Sequence, residues 1–340
     1  MPSQGCRTTY GGKTMKVCIY GAGAIGGNIA VNMAVAKVAE VSVVARGAHL
    51  AAIQARGLTL RTGGRDINVK FAAATDDAST LPRQDLVIVG LKAQSTPAAA
   101  GAIAGLLAAD GCALFLANGI QWWWRHGVAG PQAHLPLLDP EGALWKLVRP
   151  ERALGGSAYS GNEIPEPGVV VHSMMNDWGL GDPSAAPGAV SPRLQRVVDL
   201  FQAAGLKARA VPDVRRELWL KLVRVGSQSA VGALTRLNNQ QMGASPEIAA
   251  LRGRYIAEML AVAAAQGCDL HADIDMAKAT GAAPPHRPSM LQDVLARRPI
   301  EVEALVGQLQ AFARETGVAT PVIDTILPLL RGLDASLGLA

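Results

Sequence analysis

A chain of 340 residues, 49% hydrophobic and 4% aromatic, with 37 glycines and a formal net charge of +5, has ample apolar material for two globular domains. Its Lys and Arg residues are scattered, with neither a basic run nor interleaved aromatics, which argues against a nucleic-acid partner. No apolar run reaches membrane-spanning length; the cysteines Cys6, Cys18, Cys112 and Cys268 lie far apart, two of them in apparent buried strands, so neither a disulfide framework nor a C-x-x-C metal site is suggested, and a reducing cytoplasm fits.

Residues 1–14 are polar and lack the apolar centre of a signal peptide, so they read as a disordered leader, with Met15 as the expected natural start. The apolar stretch Val17-Cys18-Ile19-Tyr20 then runs straight into Gly21-Ala22-Gly23-Ala24-Ile25-Gly26. This is G-x-G-x-x-G between a strand and a helix: Gly21 for the tight turn, Gly23 for backbone approach to a pyrophosphate, Gly26 for packing of the helix on the strand. Ile29, Ala30, Met33 and Ala34 continue with helical spacing, and Val41 to Ala45 supply a second strand. Twenty residues after Gly26, where NAD enzymes place a carboxylate for the ribose hydroxyls, stands Arg46. A cation there suits a 2′-phosphate, so the expected cofactor is NADPH/NADP.

Strand signals follow over Asp66–Ala73 and Asp85–Gly90, then a helix over Thr96–Ala108 and a strand over Cys112–Leu116. Short, wholly apolar strands alternating with helices point to a parallel sheet covered on both faces. Residues 150–182, with glycine, proline and Val169-Val170-Val171, suggest an antiparallel extension. From Asp213 onward alanine- and leucine-rich helical spacing runs to the end, broken by Pro284-Pro285 and Pro299. The expected fold class is therefore α/β: a Rossmann-like, doubly wound N-terminal domain over 15–211 and an all-helical domain over 212–335 for substrate and dimerisation. A substrate is expected in the cleft between them, outside the carboxyl ends of the strands.

Reduction of a ketone needs a hydride donor and an acid for the developing alkoxide. Lys221, in the apolar helical stretch Leu218-Trp219-Leu220-Lys221-Leu222-Val223, is a candidate, because burial lowers an ammonium pKa toward the useful range. A lysine snorkelling from an ordinary helix is the alternative.

Several motifs occur in a specific order: Gly21 to Gly26, Arg46, Leu91-Lys92-Ala93, Asn118-Gly119-Ile120, Leu218 to Leu222, and Ser289-Met290-Leu291-Gln292-Asp293 with Glu301 twelve residues after its serine. From Met15 to about residue 330 the chain resembles the ketopantoate reductase (2-dehydropantoate 2-reductase) family of pantothenate biosynthesis. The resemblance implies NADPH-dependent reduction of ketopantoate, a small 2-oxo acid, in the cytoplasm. It implies Lys221 as proton donor, Asn118 touching both cofactor and substrate, Ser289 on the substrate, Glu301 at a cofactor ribose or substrate hydroxyl, and Lys92 along the cofactor. Gly21, Ala22, Gly23, Ala24, Ile25, Gly26 and Arg46 complete the cofactor set; a homodimer is compatible, and no metal is called for.

One helical face departs from that pattern. The family usually carries asparagines four and eight residues after the lysine, and here stand Val225 and Ser229. Ser229 keeps one hydrogen-bonding group, Asn239 is a further candidate substrate amide, and Arg224 could pair a carboxylate. Trp122-Trp123-Trp124 could line a pocket mouth or pack against the second domain. The same chemistry on a different 2-oxo acid or related carbonyl is the reading that Val225 and Ser229 leave open, and since a fold does not by itself establish activity, a protein that binds NADPH without catalysis is a further one.

Overall fold

A computed structural model describes residues 9–10, 13–128, 130, 133–281 and 283–338, with side chains from residue 14 onward. Most of the expected leader lies outside the described residues; within it, Thr9–Tyr10 pairs antiparallel with Lys13–Thr14. The chain divides into two compact units, the first Met1–Ala117 with Gln121–Val214, the second Asn118–Ile120 with Arg215–Ala340. The division falls after Val214 rather than at 211, and three residues from the middle of the chain group with the C-terminal part.

The first unit is built on a ten-stranded sheet. Its strands are β1 (Lys16–Tyr20), β2 (Glu40–Val44), β3 (Leu58–Thr62), β4 (Arg65–Val69), β5 (Ala73–Thr75), β6 (Gln84–Val89), β7 (Leu107–Phe115), β8 (Ala153–Glu166), β9 (Val169–Gly181) and β10 (Lys207–Ala210). Helices α1 (Ala24–Ala36), α2 (Gly47–Arg56), α3 (Ala100–Leu106) and α4 (Pro192–Ala203) accompany it. The spatial order is β4-β3-β9-β8-β7-β6-β1-β2-β5, with β10 against β9. Its run β5-β2-β1-β6-β7-β8 is all parallel and, counted along the chain, has the order 3-2-1-4-5-6 of a doubly wound nucleotide-binding sheet. Val17, Cys18 and Ile19 are wholly buried, as befits a central strand covered on both faces.

The sheet departs from the sequence reading at two places and bears it out at a third. The single strand expected over Asp66–Ala73 is two: β4 pairs antiparallel with β3, and β5 joins β2 in parallel. Gly63 and Gly64, with φ of +55° and +73°, make the two-residue turn between β3 and β4, a geometry that needs left-handed backbone twice. The helix expected over Thr96–Ala108 is shorter, because Leu107 and Ala108 already belong to β7. The antiparallel extension is the long hairpin of β8 and β9, which ties β3 and β4 to the sheet through Val169↔Thr59 and Val170↔Leu60.

The second unit is helical: α5 (Val214–Thr235), α6 (Asn239–Ala244), α7 (Pro246–Ala265), α8 (Met276–Thr280), α9 (Ser289–Leu295), α10 (Gln308–Thr316) and α11 (Pro321–Leu337). Trp219 on α5 packs against Phe312 on α10 with ring centroids 6.2 Å apart. The Glu258 carboxylate on α7 accepts from the Val322 and Ile323 amides at 2.8 and 2.9 Å, capping α11.

Candidate active site

The fingerprint turn sits where the sheet order reverses, between β1 and β6. Gly21 has φ of +96°, and a Cβ there would lie 2.9 Å from the Leu91 side chain. A Cβ on Gly26 would lie 2.2 Å from the Gly21 carbonyl oxygen, so α1 can enter this close to the turn only with glycine. Gly23 differs: nothing lies within 4 Å of where its Cβ would be. No neighbour inside the chain demands glycine there. Gly23 is also the N-cap of α1 and offers no side-chain acceptor to the first-turn amides. Open space, uncapped amides and the positive end of a helix dipole fit a pyrophosphate.

Arg46 follows β2 as the exposed N-cap of α2, and its charge opposes the rise that burial imposes on the Tyr20 phenol at the end of β1. Lys92 follows β6, half-buried, with its carbonyl accepting from the Ser95 amide and the Thr96 hydroxyl at 3.0 Å. Both cations thus stand at carboxyl ends of strands on either side of the fingerprint, Arg46 after β2 and Lys92 after β6.

In the second unit three of the singled-out residues meet. The buried Lys221 ammonium donates to Asn118 Oδ1 at 2.8 Å, and Asn118 Nδ2 donates to Glu301 Oε2 at 3.3 Å. An acceptor on one side and a donor on the other fix the amide's orientation. Burial pulls the Lys221 pKa from 10.5 to about 8, while the carboxylates of Glu301 and then Glu217 work in the opposite direction. Glu217, buried one turn before Lys221 on α5, was not singled out from the sequence, although its spacing of four residues on a helix was a usable signal.

The backbone holds Asn118 in place. Gly119 has φ of +82°, and its Cα lies so near Ala304 that a Cβ would be 2.2 Å from the Ala304 oxygen. That oxygen accepts from the Ile120 amide at 2.9 Å. Ala304 belongs to a π turn, Glu303–Gly307, directly after Glu301; a bidentate pair from Arg331 to Glu303, at 2.7 and 2.8 Å, secures it to α11.

Other expected substrate residues are more dispersed. Ser229 lies two turns beyond Lys221 on α5 and is buried, Val225 between them is half-buried, and Arg224 is exposed. Asn239 begins α6, its amide donating to the His286 carbonyl at 2.9 Å and its Oδ1 buried without a hydrogen-bond partner among the described residues. Ser289 is exposed in the first turn of α9, after Pro288, which closes on Gly232 of α5. The three tryptophans are buried. Trp122 meets Phe115 edge-on at 5.3 Å, and Trp123 fills the room left by Gly155, all within the first unit.

Among the described residues no cluster could hold a metal and no helix is long and apolar enough to cross a membrane. A doubly wound sheet with this fingerprint, joined to a helical unit carrying a buried lysine, defines a nicotinamide-dependent oxidoreductase. Profiles for ketopantoate reductase PanE/ApbA and for its C-terminal part match residues 17–184 and 213–334. The chain is 37% identical over 95% of its length to the 2-dehydropantoate 2-reductase of Mesorhizobium japonicum, covering 99% of that protein. A solved structure from Ralstonia solanacearum MolK2, provisionally named a ketopantoate reductase, is 32% identical, with a TM-score of 0.87 over 96% of this chain and 99% of its own. D-mandelate dehydrogenase, solved with NADH and anilino(oxo)acetate, shares the fold at 21% identity, with a TM-score of 0.80 over 95% of this chain and all of its own. This chain belongs to the ketopantoate reductase family, oxidoreductases that use NADPH.

Proposed function

We propose that this protein reduces ketopantoate to pantoate with NADPH, hydride going to the 2-oxo carbon and the proton to its oxygen from Lys221. The observation that carries the proton assignment is the buried Lys221 ammonium held 2.8 Å from Asn118 Oδ1, with burial setting its pKa near 8. Such an acid is about nine-tenths protonated at pH 7, yet gives up its proton readily to an alkoxide. Asn118 aims the ammonium, Glu301 orients Asn118, and Ser229, Asn239 and Ser289 are the groups assigned to the substrate. The unpartnered Asn239 Oδ1 supports its share of that role.

The cofactor, when bound, supplies the hydride. Gly21 to Gly26 would hold its pyrophosphate on the amides of α1, Lys92 would lie along it, and Arg46 would read the 2′-phosphate. Because Arg46 stands where a carboxylate would select NADH, Arg46→Ala is expected to weaken NADPH binding about tenfold or more and leave NADH nearly unchanged. Titration of the nucleotide's fluorescence on binding checks this; equal losses for both nucleotides would remove Arg46 from the discrimination.

The acid also sets a pH profile. Reduction requires the protonated form of a group with pKa near 8. Turnover should therefore be level below that pH and fall about tenfold per unit above it, whereas pantoate oxidation, which needs the neutral amine, should rise and then level. A reduction rate flat to pH 10 would exclude Lys221 as the acid.

Val225 favours a second reading, the same chemistry on another 2-oxo acid, since a valine cannot replace an amide that bonds a substrate hydroxyl. NADPH oxidation at 340 nm with ketopantoate, pyruvate and bulkier branched or aromatic 2-oxo acids decides between them. Highest kcat/KM on ketopantoate makes Val225 and Ser229 tolerated variation; highest efficiency on another acid means the pocket has changed its target. The buried thiols Cys18 and Cys112 suit a reducing cytoplasm, and a homodimer is compatible with this reading.

A further inference from the structure

His49, in the first turn of α2, faces two segments far apart in sequence. Its Nε2 lies 2.9 Å from the carbonyl oxygen of Ala22, inside the fingerprint turn. Its Nδ1 lies 3.0 Å from the Gly168 amide nitrogen, at the turn between β8 and β9. A backbone amide can only donate, so Nδ1 accepts and the ring proton sits on Nε2, where it donates to Ala22. Both ring nitrogens of a neutral imidazole are thereby satisfied by backbone.

The hairpin turn that His49 grips is itself anchored. Arg56, at the end of α2, donates to the Pro167 carbonyl at 2.5 Å, and the Thr59 amide at the start of β3 donates to the Gly168 carbonyl at 2.9 Å. Gly168 has φ of +80°, and a Cβ on it would lie 2.9 Å from the Ala52 Cβ. The other end of the bridge is the fingerprint turn. The Gly21 and Ala22 amides donate to Val44, and Gly27 donates to Gly23, but His49 is the side chain seen to hold the Ala22 carbonyl.

We propose that His49 is a positioning residue for the dinucleotide: it clamps the fingerprint turn through Ala22 and braces that clamp on the β8–β9 turn, so that the α1 amides are already aimed before the cofactor arrives. This rests on the reading of Gly21 to Gly26 as the pyrophosphate cradle. Since the pyrophosphate is common to both nucleotides, the clamp acts on NADPH and NADH alike, unlike Arg46.

The test is equilibrium binding of NADPH and of NADH to the purified full chain, together with hydrogen exchange of the 21–27 segment without nucleotide. His49→Ala should raise the dissociation constants of both nucleotides by about tenfold, keep their ratio, and speed exchange in that segment while the β6 and β7 amides stay protected. His49→Gln, whose amide can donate and accept, should recover most of the affinity; His49→Asn, too short to span both turns, should not. If His49→Ala does not fold, the Gln and Asn variants still give the comparison. Wild-type affinity and exchange in His49→Ala or His49→Asn overturn the clamp, whatever Arg46→Ala does. A changed NADPH-to-NADH ratio in Arg46→Ala beside unchanged binding in the His49 variants leaves the cofactor reading standing and removes this one alone. Wild-type protein that binds neither nucleotide overturns both.

Discussion

Lys221→Ala is expected to lower kcat for ketopantoate by about a hundredfold to ten-thousandfold, the range spanned by loss of a general acid, while NADPH affinity stays within about twofold. The two effects separate because Lys221 belongs to the second unit and the fingerprint to the first. Holding an ammonium where its pKa falls from 10.5 to about 8 corresponds to roughly 3 kcal/mol against the charged form, so the lysine is a poor choice for stability alone. The alanine variant should melt within a few degrees of the wild type. Small primary amines added to it should restore turnover, the better the closer their pKa to the working pH. Loss of less than tenfold, or no rescue by any amine, would show that the proton comes from elsewhere.

Gly119→Ala is expected to be nearly as damaging although it removes no functional group. Its methyl would sit 2.2 Å from the Ala304 oxygen, on a residue with φ of +82°. The left-handed backbone alone costs an alanine about 1–2 kcal/mol, and moving the segment to relieve the overlap breaks the Ile120 bond to Ala304. Asn118 moves with it, and Lys221 loses its acceptor. We expect kcat to fall about a hundredfold, as in Asn118→Ala, but with a lower thermal midpoint in the glycine variant only. A charged lysine without its acceptor is harder to keep charged, so the alkaline fall in rate should begin at lower pH in both. Wild-type turnover and melting in Gly119→Ala would mean that the π turn at Ala304 yields easily.

Much of this was legible in the residues. Gly21 and Gly26 declare themselves because a tight turn and a close helix tolerate nothing larger, and the apolar run of β1 is what a strand buried on both faces requires. The order of motifs carried Asn118, Lys221 and Glu301 together, and the structure brings these three within hydrogen-bonding distance. What escaped depended on partners distant in sequence. Gly63-Gly64, just after the alternating Leu58 and Leu60, was a hairpin signal within reach, but that β3 would join the sheet through β9 is fixed by Val169 and Val170, more than a hundred residues on. His49 shows no local pattern, since its partners are backbone atoms of Ala22 and Gly168. The tryptophans stayed ambiguous because an aromatic run reads equally as surface or core until Gly155 and Phe115 are seen beside it.

Asn118, Gly119 and Ile120 group with the helical unit although the chain on either side of them belongs to the sheet. The lysine half of the chemistry is therefore not a module that a single cut releases. A fragment beginning at Arg215 would carry Lys221 and Glu301 without the amide between them. Chimaeras of related enzymes spliced once after Val214 would join one parent's lysine to the other's asparagine, and its glycine turn to a foreign Ala304 neighbourhood. Recombination that respects this fold has to exchange residues 118–120 along with the helices.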